Sequence, residues 1–155
     1  MINFRKAMIN DMKLYFDWAN DPSVREQSYH SDVIDFENHK IWFESKLKDT
    51  SVELLIFQNE ENFNIGQVRI QKQNKKEALI GISIAIEHRG NGYAKEMLEL
   101  SSNYFLEMNQ EYQINAFIKE NNLSSKYAFE KAGFEFKEIV IYENFRSFHY
   151  IKFKK

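Results

Sequence analysis

The sequence predicts one α/β domain, residues 1–155, in which a mixed β-sheet carries helices on both faces. Short runs of β-branched and aromatic residues alternate along the chain with stretches whose apolar residues recur every three or four positions, as they do in amphipathic helices. With 43% apolar and 15% aromatic residues, the chain has the side chains for a packed core. Its length of 155 residues is typical of a single domain.

The first third of the chain predicts one strand and two helices. Residues 2–7 form the strand. Asn10 is expected to cap the first helix, and this helix ends before Pro22, because proline lacks the backbone N–H that a continuing helix needs. A second helix is expected to start at Asp35 and to pack through Phe36, Phe43 and Leu47.

The rest of the chain predicts six strands and two helices, so that the totals are seven strands and four helices. Asn122 is placed to cap the last helix, and Gly133 follows it at a position that favours a left-handed residue. The strands are predicted at residues 52–57, 63–70, 79–86, 114–118, 134–141 and 145–153.

The most informative segment is Arg-Gly-Asn-Gly-Tyr-Ala at residues 89–94, between an apolar strand and a helix that runs to Met108. The first turn of a helix has free N–H groups and a partial positive charge, and glycines let a phosphate approach them. A hairpin is the alternative for Asn-Gly, but the downstream residues have helical spacing. The spacings of a dinucleotide fingerprint and of a P-loop are absent. The segment therefore predicts a pyrophosphate site.

Composition argues against several other classes of protein. A net charge of −2 with interspersed signs gives no surface for a nucleic-acid backbone. No run of eighteen apolar residues and no apolar leader is present, which predicts a protein without membrane contact. The chain has no cysteine, which fits a cytoplasmic location and rules out disulfides, and its four histidines lack metal-ligand spacing. We therefore expect no bound metal.

The segment at residues 89–94 resembles the Arg/Gln-x-x-Gly-x-Gly/Ala signature of the Gcn5-related N-acetyltransferases (GNAT). Asn-Leu-Ser-Ser at residues 122–125 and Glu-Lys-Ala-Gly-Phe at residues 130–134 resemble the downstream motif of the same family. The resemblance covers nearly the whole chain. It implies a mostly antiparallel sheet of about seven strands with four helices, splayed between the fourth and fifth strands.

The resemblance also implies acetyl-CoA as co-substrate and direct transfer of its acetyl group to a primary amine. The pyrophosphate would lie on the backbone at residues 89–94, and the pantetheine along the fourth strand. Asn122 would meet the pantetheine from the far side, or would simply cap its helix. The cofactor-binding residues so implied are Ile84, Ala85, Ile86, Arg89, Gly90, Asn91, Gly92, Tyr93, Ala94, Asn122 and Ser125.

The catalytic residues are less determined by sequence. His39 is a candidate base because imidazole titrates near neutral pH, and Glu77 is another because relatives often carry a glutamate near this strand. Relatives often place a tyrosine, the proton donor to the leaving thiolate, where this chain has Phe129. The acid is therefore left open among Tyr93, Tyr142 and Tyr150, and departure of the thiolate without an acid is a further alternative.

Polar and aromatic residues of the first third and the third strand are expected to bind the acceptor. They resemble the branch that acetylates nucleotide-linked amino sugars for surface polysaccharides. The alternatives are an acetyltransferase for ribosomal proteins, peptides or small amines such as aminoglycosides, and a non-catalytic acyl-CoA-binding module. A homodimer is left open. The acceptor residues are Asn20, Arg25, Trp42, Gln67 and Arg69.

Overall fold

The protein, described over residues 1–155 by a computed structural model, contains seven strands and five α-helices. The strands are β1 (Asn3–Lys6), β2 (Val52–Gln58), β3 (Asn64–Lys72), β4 (Glu77–Ile84), β5 (Gln113–Lys119), β6 (Glu135–Tyr142) and β7 (Phe145–Phe153). The helices are α1 (Met12–Ala19), α2 (Pro22–Gln27), α3 (Phe36–Lys48), α4 (Tyr93–Met108) and α5 (Leu123–Lys131). None of these helices is both long enough and apolar enough to span a bilayer.

All seven strands belong to one sheet, in the order β1-β2-β3-β4-β5-β7-β6. Every neighbouring pair is antiparallel except β4 and β5, which are parallel. These two strands pair only from Glu77 with Gln113 to Leu79 with Asn115, and beyond that point they separate. The predicted mostly antiparallel sheet, splayed between the fourth and fifth strands, is confirmed.

The sheet separates two apolar cores because successive side chains of a strand point to opposite faces. The larger core packs α4 and α5 on one face and includes Met97, Leu98 and Phe105, all essentially inaccessible to solvent. The smaller core lies under α1 and α3 and is built around Tyr15 and Phe43. The helices on both faces leave the gap between β4 and β5 as the open part of the sheet.

The structure contains one helix more than the four that the sequence predicts. α1 ends at Ala19 as expected, but Pro22 then begins α2 rather than a loop. The Asp21 carboxylate accepts a hydrogen bond from the Ser23 N–H at 2.9 Å and caps this helix. Proline is favoured at the first helical position, where its missing N–H costs nothing, so the residue that stops one helix starts the next.

The start of α1 also differs from the prediction. Residues Ile9–Asp11 form a short 3-10 turn, and Asn10 caps nothing. Asp11 instead accepts from the Met8 N–H at 2.7 Å and pairs with Arg5 at 2.8 Å. A partly buried ion pair from the first strand therefore positions α1.

Candidate active site

A cavity of about 1000 Å³ begins where β4 and β5 separate. The exposed strands, α1, α2 and α3 and the start of α4 form its walls. One end contains the glycine-rich turn before α4, and the other contains aromatic side chains from α1 and α3. The cavity therefore joins the predicted pyrophosphate turn to the predicted acceptor residues.

The glycine-rich turn has the geometry of an anion site. Gly90 and Gly92 have φ angles of 81° and 75°, in the left-handed region that glycine adopts most easily. A Cβ built on either residue would meet no atom within 4 Å, so the space over the turn is open. Gly92 is the N-cap of the 16-residue α4, whose first N–H groups point into that space. These residues fit a pyrophosphate.

Arg89 ties this turn to two neighbouring elements. Its Nε donates to the Ile84 carbonyl at 2.9 Å, and one terminal nitrogen donates to the Ser23 hydroxyl at 2.6 Å. The other terminal nitrogen lies 3.7 Å from the Asp21 carboxylate. The arginine of the turn therefore bridges the end of β4 to the cap of α2.

The backbone of β4 offers free hydrogen-bonding groups to the cavity. Its odd-numbered residues bond to β3, as the pairs Gln73–Glu77 and Ile65–Ala85 at either end show. Bonded positions alternate along an antiparallel pair, so the N–H and C=O groups of the even-numbered residues point towards the gap. Arg89 takes the carbonyl of Ile84, which leaves the N–H groups of Ile82 and Ile84 open. An extended amide chain such as pantetheine can pair with them.

Most of the expected acetyl-CoA residues line the cavity, but three do not. β4 ends at Ile84, so Ala85 is buried against β3 and Ile86 begins an exposed 3-10 turn. Asn91 lies outside as well, where its amide bonds the His88 carbonyl at 3.0 Å. The residues that do line the cavity are Ile84, Arg89, Gly90, Gly92, Tyr93, Ala94, Asn122 and Ser125.

Asn122 has the capping role that the sequence predicts. Its side-chain oxygen accepts from the Ser125 N–H, and α5 begins at the next residue. Because the residue also lines the cavity, a contact with the co-substrate stays a prediction beside the observed cap.

The acceptor end of the cavity is aromatic and holds one unpaired cation. Both tryptophans, Trp18 and Trp42, line it, and the Arg69 guanidinium lies 5.4 Å from the centre of the Trp42 ring. Gln67 donates to the Ser83 hydroxyl at 2.9 Å, while its own side-chain oxygen is buried without a partner. The predicted residues Trp42, Gln67 and Arg69 are thus brought together.

Asn20 and Arg25 instead organise the chain that covers this end. Asn20 lies outside the cavity and exchanges two hydrogen bonds with the backbone of Ile34, at 2.7 and 2.8 Å. Arg25 reaches the cavity, but its guanidinium donates to the carbonyls of Ala19 and His30 at 2.6 and 2.8 Å. Both side chains therefore hold the segment between α1 and α3, which argues against the expected direct contact with substrate.

His39 lies in the cavity wall, on α3, among aromatic rings. It is only 4% exposed, and its Nε2 lies 3.2 Å from the Met12 carbonyl, so Nε2 is the nitrogen that carries the proton. Its ring stacks on Phe43 at 5.9 Å. Burial lowers the pKa of His39, which keeps the imidazole neutral with a free lone pair on Nδ1.

The structure does not bring Glu77 to the cavity. Glu77 begins β4, at the end of the strand away from the glycine-rich turn, and accepts hydrogen bonds from Asn74 and Asn115 at 3.2 Å each. These bonds hold the pKa of Glu77 below its usual value. The carboxylate fastens the short paired part of β4 and β5, so the structure gives no support to the expected role as a base.

Two of the three candidate acids line the cavity. Tyr93 begins α4, and Tyr142 ends β6 with its ring stacked on Phe117 at 4.0 Å. Tyr150 lies outside and donates to the Glu130 carboxylate at 2.6 Å, so the structure does not place it near the chemistry. Phe129 lines the cavity, is 3% exposed and packs edge-on against Phe134.

Several cavity residues were not predicted from sequence. Gly81 is the one with a readable signal, since an isolated glycine inside a strand often marks close approach by another group. Nothing lies within 4 Å of the place its Cβ would take. The others, Tyr15, Phe117 and Lys119, have the spacing of ordinary core or strand residues.

Comparisons with known proteins agree with this architecture. The model of the acetyltransferase (GNAT) domain matches residues 2–135. A spermidine N-acetyltransferase from Vibrio cholerae, solved with CoA and spermine, superposes with a TM-score of 0.86 at 15% identity, over 97% of this chain and 93% of that one. The aminoglycoside acetyltransferase AAC(6')-Ib, solved with coenzyme A and kanamycin, gives 0.84 at 16% identity, over 99% and 95%. At such identities the likeness shows the fold alone. No curated protein matches in sequence.

An opened sheet with an anion-binding turn at the mouth of the gap defines a transferase that uses an acyl-CoA. The chain belongs to the GNAT family of acetyltransferases, whose co-substrate is acetyl-CoA. The comparisons do not show the finer resemblance to enzymes that act on nucleotide-linked amino sugars. No group of three or more histidine, aspartate or glutamate side chains with the arrangement of a metal site is present.

Proposed function

We propose that the protein transfers the acetyl group of acetyl-CoA directly to the primary amine of a small molecule. The cavity supports this most strongly, because one continuous cavity contains both the anion-binding turn and the aromatic acceptor residues. Acetyl-CoA supplies an activated thioester, and the residues of the chain bind, orient and exchange protons around it.

Two parts of the chain would bind two different parts of acetyl-CoA. The N–H groups at residues 89–94 would hold the pyrophosphate, and the free backbone groups of β4 would hold the pantetheine in an extended form. The open N–H of Ile82 or Ile84 would then stabilise negative charge that develops on the carbonyl oxygen. Rigid backbone donors suit this task because they need no rearrangement during the reaction.

Proton transfer requires a neutral attacking amine and a protonated leaving group. His39 is neutral near pH 7, and the lone pair on its Nδ1 can accept the proton of the amine directly or through water. Burial raises the pKa of Tyr142, which keeps its hydroxyl protonated as a donor for the departing thiolate. These roles follow from position and protonation state.

The small-amine alternative has better support than the nucleotide-amino-sugar reading. The solved structures similar to this fold include spermidine and aminoglycoside acetyltransferases, whose substrates are small amines. Arg25, one of the two arginines expected to bind the acceptor, is occupied by backbone carbonyls. A nucleotide-linked amino sugar remains one member of the wider class of amines to be tested.

The test is release of free CoA from acetyl-CoA in the presence of a panel of primary amines. The panel contains polyamines, aminoglycosides, amino sugars with and without phosphate, amino acids and short peptides. We expect amine-dependent release and an acetylated amine by mass spectrometry. Tight binding of acetyl-CoA without amine-dependent release would instead support a non-catalytic acyl-CoA-binding module.

A further inference from the structure

The charges that line the cavity are unevenly divided between cations and carboxylates. The carboxylates are Glu26 and Glu143, and both are exposed at the rim. The cations are Arg25, Arg69, Arg89 and Lys119. No carboxylate therefore lies at the aromatic end around Trp18 and Trp42, where an acceptor amine would bind.

Three of the four cations already have partners within the chain. Arg25 donates to backbone carbonyls, and Arg89 contacts Ser23, Asp21 and the Ile84 carbonyl. Lys119 donates to the Glu26 carbonyl at 3.2 Å and lies over the Phe145 ring. Arg69 is thus the cation available to a ligand.

Arg69 is partly buried and has no ion pair. Burial lowers its pKa, and the titratable groups whose charges act on it are the phenols of Tyr15 and Tyr142. The Tyr15 hydroxyl is itself buried and makes no hydrogen bond. A guanidinium partly withdrawn from water without a counter-charge is costly, and a buried hydroxyl without a partner adds to the cost. The chain keeps an unpaired cation and an unsatisfied hydroxyl in the same part of the cavity.

The surroundings of Arg69 are shaped for a ligand. Trp42 lies over the guanidinium and restricts its orientation, while the planar fork of N–H donors stays open to a bidentate partner. Arg69 pairs in register with Gly81, where the missing side chain leaves open space. Ile80 and Ile82, on either side of Gly81, present their backbone groups to the gap where the thioester would lie.

We propose that Arg69 binds a carboxylate or phosphate of the acceptor, so that the preferred substrates are small amines that carry an anionic group near the amine. This inference rests on the proposed acetyl transfer. Arg69 lies on β3 and Ile82 on the neighbouring β4, one residue out of register. Neighbouring strands are about 5 Å apart and one residue adds about 3.3 Å, so an anion at Arg69 and an amine beside Ile82 can belong to one small molecule. The same unpaired cation disfavours polyamines and aminoglycosides, since like charges repel strongly where water is excluded.

The experiment compares matched acceptors that differ in one anionic group: glucosamine 6-phosphate against glucosamine, and β-alanine against β-alaninamide. We expect kcat/KM to favour the anionic member of at least one pair by tenfold or more, and the pair that shows it distinguishes phosphate from carboxylate. Arg69→Met should remove the preference through KM, by about tenfold to a hundredfold, with kcat nearly unchanged. Arg69→Lys should retain part of it.

Two controls separate binding from structure. Arg146, an exposed arginine paired with Glu120 at 2.9 Å outside the cavity, provides Arg146→Met as the matched loss of charge, which should leave the preference intact. Removal of a buried unpaired charge should leave the melting temperature of Arg69→Met unchanged or raised. A large fall in melting temperature would mark Arg69 as structural and would overturn the proposal.

Calorimetry with the CoA-loaded protein provides a readout that does not depend on turnover. Inorganic phosphate and malonate are titrated into wild type and Arg69→Met, and we expect binding of at least one of these anions that the variant loses. If no amine is acetylated, the proposed function fails while this titration still decides the anion site. Equal rates within both pairs, or anion binding that survives in Arg69→Met, would overturn the inference and leave acetyl transfer standing.

Discussion

His39 illustrates how its surroundings fix the chemistry of a single side chain. Its Nε2 proton is committed to the Met12 carbonyl, and the stacked rings around it exclude water. Both effects favour one neutral tautomer. A histidine chosen from sequence for its ordinary titration near neutral pH is therefore held in its neutral form over a wider range of pH.

The substitution His39→Gln tests this role. Glutamine can still donate to the Met12 carbonyl, but it cannot take a proton, so we expect kcat to fall about a hundredfold with little change in acetyl-CoA affinity. The wild-type rate should fall as the pH drops through the lowered pKa of His39, below 6.5, and the variant should lack this acidic limb. A loss smaller than threefold would leave His39 as part of the scaffold.

Tyr142 and Phe129 make a second pair of residues with testable roles. Tyr142→Phe should lower kcat about a hundredfold and remove the alkaline limb of the pH–rate profile, because a general acid must stay protonated and burial raises the pKa of this phenol above 10.0. Tyr150→Phe is the control outside the cavity and should leave the profile unchanged. Phe129→Tyr should alter turnover less than tenfold.

Two other results would change the roles assigned to these tyrosines and to Phe129. Loss of the alkaline limb in Tyr93→Phe rather than Tyr142→Phe would assign the acid to Tyr93. A large gain in turnover from Phe129→Tyr would show that the chain is a catalytically weakened relative.

Among the elements, the turn before α4 combines two left-handed glycines with a helix N-terminus. Gly92→Val should weaken acetyl-CoA binding tenfold or more, since the added branch fills the open space over the turn. Gly133→Val is the matched control: Gly133 has a φ of 95° and follows α5 outside the cavity. It should lose stability but not affinity. Equal affinities of folded Gly92→Val and wild type would contradict the anion site.

The sequence alone predicts most of the helices and strands. Apolar spacing located all seven strands to within about two residues, and it located the four longer helices. α2 was missed because proline has opposite meanings inside a helix and at its first position. Glu77 could not be assigned from sequence, because its partner Asn115 belongs to a strand 38 residues away. The isolation of Arg69 is likewise a tertiary property: sequence shows a cation but not what surrounds it.

For the whole molecule, two buried histidines predict how stability depends on pH. Burial lowers the pKa of His39, and burial together with Lys137 lowers that of His149. The unfolded chain takes up protons at these residues as the pH falls below about 6.5, while the folded chain does not. The free energy of unfolding should therefore decrease from pH 7.5 to 5.5. The contribution that the two neutral histidines make to stability is fully present above about pH 6.5 and is lost below it.

Urea denaturation at the two pH values measures the effect. His39→Gln and His149→Gln should each show a smaller decrease than wild type. Carboxylates such as Asp11, whose pKa lies below its usual 3.8, affect stability only at lower pH and do not confuse the comparison. A stability that stays constant or rises between pH 7.5 and 5.5 would contradict the neutral state of both histidines.

The placement of the two tryptophans has a practical consequence. Trp18 and Trp42 are the only tryptophans in the chain, and both line the aromatic end of the cavity, one of them against Arg69. When the protein is excited at the long-wavelength edge of the tryptophan absorption band, tyrosine contributes little to the emission. The fluorescence therefore originates almost wholly from the acceptor end of the cavity. A ligand that enters there changes the polarity around both indoles, so emission spectra report occupancy without any label, and Trp18→Phe and Trp42→Phe separate the two signals.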